Sequence, residues 1–79
     1  MLYNLLEDLQ VKEAKINFGY GDCKIDYVTY YYADFIVDSG ANFLYRVFFG
    51  DIMNITIDLE NIKVFLAIAK PPEVITLNE

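Results

Sequence analysis

At 79 residues the chain has room for one domain. A domain this small buries only about 60% of its unfolded surface. A hydrophobic fraction of 56% excludes a disordered polar chain, and a formal net charge of −6, with an isoelectric point near 4.3, opposes direct binding to nucleic acid or to an anionic membrane.

The chain opens with Leu2, Leu5, Leu6 and Leu9 at i, i+3, i+4 and i+7, with Asn4, Glu7, Asp8 and Gln10 between them. That spacing predicts an amphipathic helix over residues 2–13. The segment has no basic stretch ahead of its apolar residues and does not read as a secretion signal. The apolar runs fall short of the roughly 20 residues that cross a bilayer, so cytoplasmic residence and no membrane are expected. The tripeptide Asn54-Ile55-Thr56 matches a glycosylation acceptor and carries no weight without a secretion signal.

After the helix the period changes to two. In "KINFGYGDCKID" a tight turn at Tyr20–Gly21 would set Phe18 opposite Cys23, Ile16 opposite Ile25 and Lys15 opposite Asp26. From 23 to 37 the odd residues Cys23, Ile25, Tyr27, Thr29, Tyr31, Ala33, Phe35 and Val37 form the expected core face of one long strand. The even residues Lys24, Asp26, Val28, Tyr30, Tyr32, Asp34 and Ile36 form a mixed outer face. A helix over 26–38 competes, but the density of aromatic and β-branched residues disfavours it.

"DSGAN" reads as a turn, and a hairpin centred on Gly40 sets Arg46 opposite Asp34. The strand "FLYRVFF" then turns through "GDI" into "MNITIDL", which would place Phe49 opposite Met53 and Val47 opposite Ile55. From 59 to 70 Leu59, Ile62, Phe65, Leu66 and Ala69 fit a helical stripe, with Asp58 as N-cap and Pro71-Pro72 as the stop. The same apolar run also fits a strand, and "EVITL" can add a short edge strand. The expected fold is therefore α+β: a four- to five-stranded antiparallel sheet with an N-terminal helix and a helix near the C-terminus, in the order α-β-β-β-β-α with a possible short final strand.

The chemistry-bearing residues are sparse. Histidine is absent, which removes the usual general base and most transition-metal sites. The single cysteine, Cys23, excludes an internal disulfide, fits a reducing compartment and sits on the core face. The pairs Glu7/Asp8 and Asp58/Glu60 suit helix surface and helix start better than acid–base chemistry, and Asp22 and Asp51 suit turns better than a shared cation. "GYGD" has no third glycine and no helix after it, so it is a turn and not a phosphate loop. No enzyme activity, cofactor or metal is expected.

The outer face is the strongest candidate for function. Tyr30, Tyr32, Leu44, Arg46 and Phe48 are expected to share it and to form an interface, because tyrosine offers large contact area at small entropic cost. Aromatic rows that read nucleic acid need basic neighbours, and these are acidic. Asp38, Asp58 and Glu60, expected together at one end of the sheet, are candidates for contacting a basic partner. In size and charge the chain resembles the small acidic proteins that phages and mobile elements direct against host nucleic-acid machinery, a likeness of profile and not of motif. The expectation is a small acidic inhibitor of a basic, nucleic-acid-binding protein surface, itself a homodimer. The alternatives are a homo-oligomer sequestering a small ligand in an aromatic interface pocket, and a non-catalytic structural subunit.

Overall fold

The computed structural model describes residues 1–77. Helix α1 (Leu2–Val11) precedes seven strands: β1 (Lys15–Asn17), β2 (Asp22–Val28), β3 (Tyr32–Ile36), β4 (Phe43–Phe48), β5 (Ile52–Asp58), β6 (Lys63–Ile68) and β7 (Glu73–Thr76). A single 3-10 turn, Phe49–Asp51, joins β4 to β5. The strands form one sheet in the order β5-β6-β1-β2-β3-β4-β7, antiparallel throughout except for β1 and β6, which run parallel.

Helix α1 buries Leu6 and Leu9 as the leucine spacing predicts, but it ends before residue 13. Glu13 takes a left-handed backbone (φ 54°) and donates its N–H to Gln10 O at 3.0 Å, while Ala14 N donates to Leu9 O at 3.0 Å. This pair of bonds is the C-terminal cap that glycine normally provides, here built on glutamate. Without glycine at the position, the sequence carried no stop signal.

The sheet has seven strands where four or five were expected, and it is mixed and not wholly antiparallel; three corrections account for the difference. The first concerns residues 23–37, which form a hairpin of two strands and not one strand. The chain turns at Tyr30–Tyr31, where Thr29 N donates to Tyr32 O and the Thr29 hydroxyl oxygen accepts from the N–H of Tyr31 and Tyr32. A hydroxyl that closes a turn on the backbone replaces the usual Gly or Asn signal. Just before it, β2 carries a bulge: Ile25 opposes Phe35, but Tyr27 opposes Asp34, leaving Asp26 as the extra residue. Side-chain parity therefore inverts along β2. Val28 enters the core, and Tyr27, expected there, is 58% exposed. Tyr31, also expected in the core, sits at the turn and is exposed.

The second correction concerns the helix expected over 59–70: among the described residues no α-helix follows α1, and residues 63–68 are strand β6. Val64 and Leu66 are buried while Phe65 between them is exposed, a period of two. The apolar run satisfied both periods; β1 decides between them, because it needs a partner on its second edge and takes β6 in the register Ile16–Val64. Asp58 still does the chemistry of a helix cap, accepting from Glu60 N and Asn61 N, but the turn it caps leads into a strand.

The third correction concerns pairing. β4 and β5 are consecutive yet unpaired, so Phe49 does not face Met53 and Val47 does not face Ile55; Ile55 pairs with Leu66. β4 pairs instead with β7, which adds the final strand. The β1–β2 hairpin is shifted by two residues, with Ile16 opposite Cys23, so Lys15 and Asp26 do not meet. A shift of two keeps every side chain on its face. The longer loop turns Phe18 inward and uses positive φ at Gly19 (101°) and Gly21 (85°). The Asp34–Arg46 register about Gly40 is as expected.

The topology requires curvature. β4 and β5 are five strand positions apart, about 24 Å in a flat sheet, yet a three-residue turn joins them. Such a link reaches only about 14 Å, so the sheet curls into a half-barrel. Its interior holds Ile16, Phe18, Cys23, Ile25, Val28, Ala33, Phe35, Val47, Val64 and Leu66 together with Leu6, Leu9 and Ala14. Phe18 packs on Phe35 at 5.0 Å between ring centroids and meets Tyr45 edge-on at 5.7 Å.

Phe35 is fully buried at the centre of that core, whereas Ile55 lies on an edge strand and is half-buried. Phe35→Ala is expected to lower stability by about 3–5 kcal/mol and Ile55→Ala by less than about 2 kcal/mol, measured by chemical denaturation. Glu13→Gly is expected to raise stability by about 1 kcal/mol, since it removes the left-handed penalty at the helix cap.

Candidate functional site

The outer face of β3 and β4 brings Tyr32, Leu44, Arg46 and Phe48 together as the alternation predicts. Tyr32 opposes Phe48, with ring centroids 5.5 Å apart, and Leu44 opposes Ile75 of β7. Much of this face is satisfied within the chain. Arg46 donates to both oxygens of Asp34, Nε to Oδ1 at 2.8 Å and Nη2 to Oδ2 at 3.1 Å. Its guanidinium also lies 4.0 Å above the Tyr32 ring centroid. Asp34 is only 4% exposed and Leu44 is buried. The bidentate geometry explains how an aspartate can be covered on the outer face of a sheet: both its oxygens are occupied. Two of its five N–H donors are thus committed to Asp34, and Arg46 also lines a surface cleft with Phe48, Lys70 and Glu73.

Tyr30 does not join this face. The turn carries Tyr30 to the end of the hairpin, where its ring stacks on Tyr3 of α1 at 4.4 Å. Three tyrosines cluster at this end with most of their surface in solvent: Tyr27 at 58%, Tyr30 at 66% and Tyr31 at 76%. Helix α1 meets this end of the hairpin through Tyr3, on Tyr30, and Gln10, on the Asp26 carbonyl, with Glu7 between them on the same i, i+4, i+7 stripe. The Tyr3 hydroxyl donates to Glu7 Oε2 at 2.8 Å, and Gln10 Nε2 donates to Asp26 O at 3.0 Å. The hydrogen bond to Glu7, followed by partial burial and the Glu7 charge, raises the Tyr3 hydroxyl above the ordinary phenol range.

The patch thus combines Tyr3, Tyr27 and Tyr30 with the carboxylate of Glu7; Tyr31 follows in the turn, and the exposed Asp26 precedes Tyr27 and lines a groove with Lys15 and Lys24. Lys12 pairs with Asp8 at 2.9 Å, Lys24 with Glu13 at 3.5 Å and Arg46 with Asp34. Sequence reading missed Tyr27 and Tyr31 because a bulge inverted one and a turn without turn residues moved the other. The only local signal was Thr29 two residues before the second of three consecutive tyrosines.

The acids expected to act together are separated. Asp38 closes the β3–β4 turn, accepting from Gly40 N at 2.8 Å. Asp58 and Glu60 lie in the β5–β6 turn, and the two turns flank opposite ends of the β1–β2 hairpin. Asp58 accepts from the Asn61 side chain at 2.8 Å as well as from the backbone of Asn61 and Glu60, and the Asn61 bonds are the main reason its carboxyl titrates below the usual range. Asp38 and Asp58 therefore hold their turns, and Glu60 is exposed.

Among the described residues no group of three or more His, Cys, Asp or Glu side chains is placed to hold a metal ion. Cys23 is buried, and burial, with Asp22 beside it, raises its thiol above the ordinary range. No helix among the described residues is long and apolar enough to cross a membrane. No protein-family model matches the chain, and neither the curated proteins nor the solved structures contain a significant match.

Removing Arg46 leaves Asp34 covered and unpaired, so Arg46→Ala is expected to destabilise by about 3 kcal/mol, while replacing both residues with leucine costs less. Denaturation of the two variants side by side measures the difference. Asp58 has a folded-state pKa below its unfolded value, so its contribution to stability is complete above the unfolded range and is lost as pH falls through the folded-state value. A carboxyl-carbon NMR titration should show a midpoint for Asp58 below that of an unstructured aspartate.

Proposed function

We propose that this chain is a small acidic interaction protein that docks on a basic protein surface, of the kind that otherwise holds nucleic acid, and blocks it. The observation that carries the reading is the patch around the β2–β3 turn: three tyrosines more than half exposed, with Glu7 bonded to Tyr3 beside them and the exposed Asp26 next in the chain to Tyr27. Aromatic faces flanked by carboxylates are suited to guanidinium and ammonium groups, which gain from the ring quadrupole and from the charge. Tyrosine anchors of this sort are common centres of binding energy. The net charge of −6 adds long-range attraction that accelerates encounter with a basic partner. Asp38 and Glu60, both exposed, add to that field with Asp58 from the β3–β4 and β5–β6 turns, away from the patch.

The ligand-sequestering reading is weaker on one specific ground. It needs a cation or donor inside an aromatic pocket, and Arg46, the arginine of the outer face, is already bidentate to Asp34 and stacked on Tyr32.

An arginine-rich peptide serves as the first probe and the partner captured from the native host as the second. Tyr27→Ala with Tyr30→Ala is expected to weaken binding of both at least tenfold without changing stability by more than about 1 kcal/mol, since both rings are mostly in solvent. Binding should also weaken as salt rises, with a shallower salt slope for Glu7→Gln with Asp26→Asn. Unchanged affinity in the tyrosine variant, or binding indifferent to salt, would reject the reading.

A further inference from the structure

We infer that strand β5 is a self-association edge, on which a second copy of the chain pairs its own β5 antiparallel across a two-fold axis. The inference rests on a different part of the molecule from the tyrosine patch.

Among the described residues β5 and β7 are the two end strands of the sheet, each hydrogen-bonded to a strand on one side. An edge strand presents a row of unpaired N–H and C=O groups, which natural sheets protect with shortness, Pro, Lys or inward charge. The two edges of this sheet are treated unequally. β7 is four residues long, follows Pro71-Pro72 directly and begins with Glu73. β5 is seven residues long and contains no Pro, Lys or Arg. Its only charge, Asp58, is its last residue. A bulge at Met53, between the pairs Ile52–Ile68 and Asn54–Ala67, disturbs the start of the strand and leaves the regular run from Asn54 to Asp58.

That run is self-complementary. A two-fold axis through Ile55 sets Asn54 of one copy opposite Thr56 of the other, twice, with Ile55 opposite Ile55. Asn54 and Thr56 both lie on the outer face, paired with Ala67 and Phe65 of β6, and both are exposed. Asn opposite Thr makes a polar cross-strand pair, and no like charges meet. Around the strand several large apolar side chains are left in water: Met53 is 74% exposed and Leu59 80%, with Ile57 and Ile62 also open. Pairing through identical β5 edges about a two-fold axis gives a closed dimer, because the same edge of each copy is used up by the other. The partner is thus a second copy, read from the strand's own pattern. Two chains of −6 repel, so this association strengthens as salt screens the charge, opposite in sign to the docking of a basic partner.

The test uses charge at the two exposed positions. Wild-type protein is expected to double in mass by light scattering as concentration rises through the micromolar to millimolar range, more readily at high salt. The variant N54K/T56K sets lysine against lysine at both cross-axis pairs and is expected to remain monomeric. The variant N54E/T56E sets glutamate against glutamate and is expected to do the same. An equimolar mixture of the two variants sets lysine against glutamate at both pairs and is expected to recover a heterodimer. Circular dichroism and thermal melts establish that each variant is folded alone. A wild-type protein that stays monomeric at millimolar concentration and high salt overturns the inference. So does a dimer that persists in N54K/T56K, or a failure of the mixture to recover association.

Discussion

The extra residue in β2 governs much of the structure. Asp26 has no counterpart in β3, so the side chains before and after it point to opposite faces: Ile25 and Val28 are both inward, and Tyr27 is outward. A bulge also bends a strand and sharpens its twist. β2 is the strand shared by the two halves of the sheet, one running through β1 and β6 to β5 and the other through β3 and β4 to β7. Bending at this shared strand allows the sheet to curl and its two halves to face each other over Phe18, Phe35 and Val64. Helix α1 is coupled to the same point, because Gln10 donates to the carbonyl of Asp26. A carbonyl released from the regular ladder at the bulge thereby finds a partner.

The proposed site follows from that constraint. Were β2 regular, Tyr27 would lie in the core and Val28 on the outer face. The bulge sends a tyrosine out beside Tyr30, and α1, held by Gln10, brings Tyr3 and Glu7 to the same place. The polar interior of the outer face works in the opposite direction. The Asp34–Arg46 pair, stacked on Tyr32, turns what would have been an available cation into part of the scaffold. One surface is thus closed by internal pairing while another is opened by a one-residue irregularity. The two modes of association proposed here use separate elements, the β2–β3 turn for a basic partner and the β5 edge for a second copy, and respond to salt with opposite sign.

Local chemistry was legible wherever a pattern had one physical solution. The leucines at 2, 5, 6 and 9 could only line one face of a helix. Asp34 and Arg46 fell opposite each other because Gly40 and Asp38 demanded a turn at that point. The even residues Tyr32, Leu44, Arg46 and Phe48 shared a face because strands alternate. Asp58 was readable as a cap from its type and position, since an aspartate offers its carboxylate to the next N–H groups whether a helix or a strand follows. The final strand was legible from its β-branched pair, Val74 and Ile75.

What the tertiary structure alone decided were the choices between states of nearly equal local preference. Residues 59–70 are apolar at both helical and strand periods, and only the open edge of β1, distant in sequence, selects the strand. The turn at Tyr30–Tyr31 has no glycine, proline or asparagine; Thr29 closes it through its hydroxyl, and it persists because β3 returns to pair with both β2 and β4. The bulge at Asp26 leaves no mark in the sequence, since its stability comes from Gln10, sixteen residues away, and from the burial of Val28. The pairing of β4 with β7 rather than β5 is a property of the curled sheet, in which β5, five positions from β4 in strand order, still lies within reach of a three-residue turn. Side-chain alternation and turn chemistry are local and can be read from the chain; strand choice, bulges and curvature minimise the exposed apolar surface of the whole, and that sum exists only once every strand is in place.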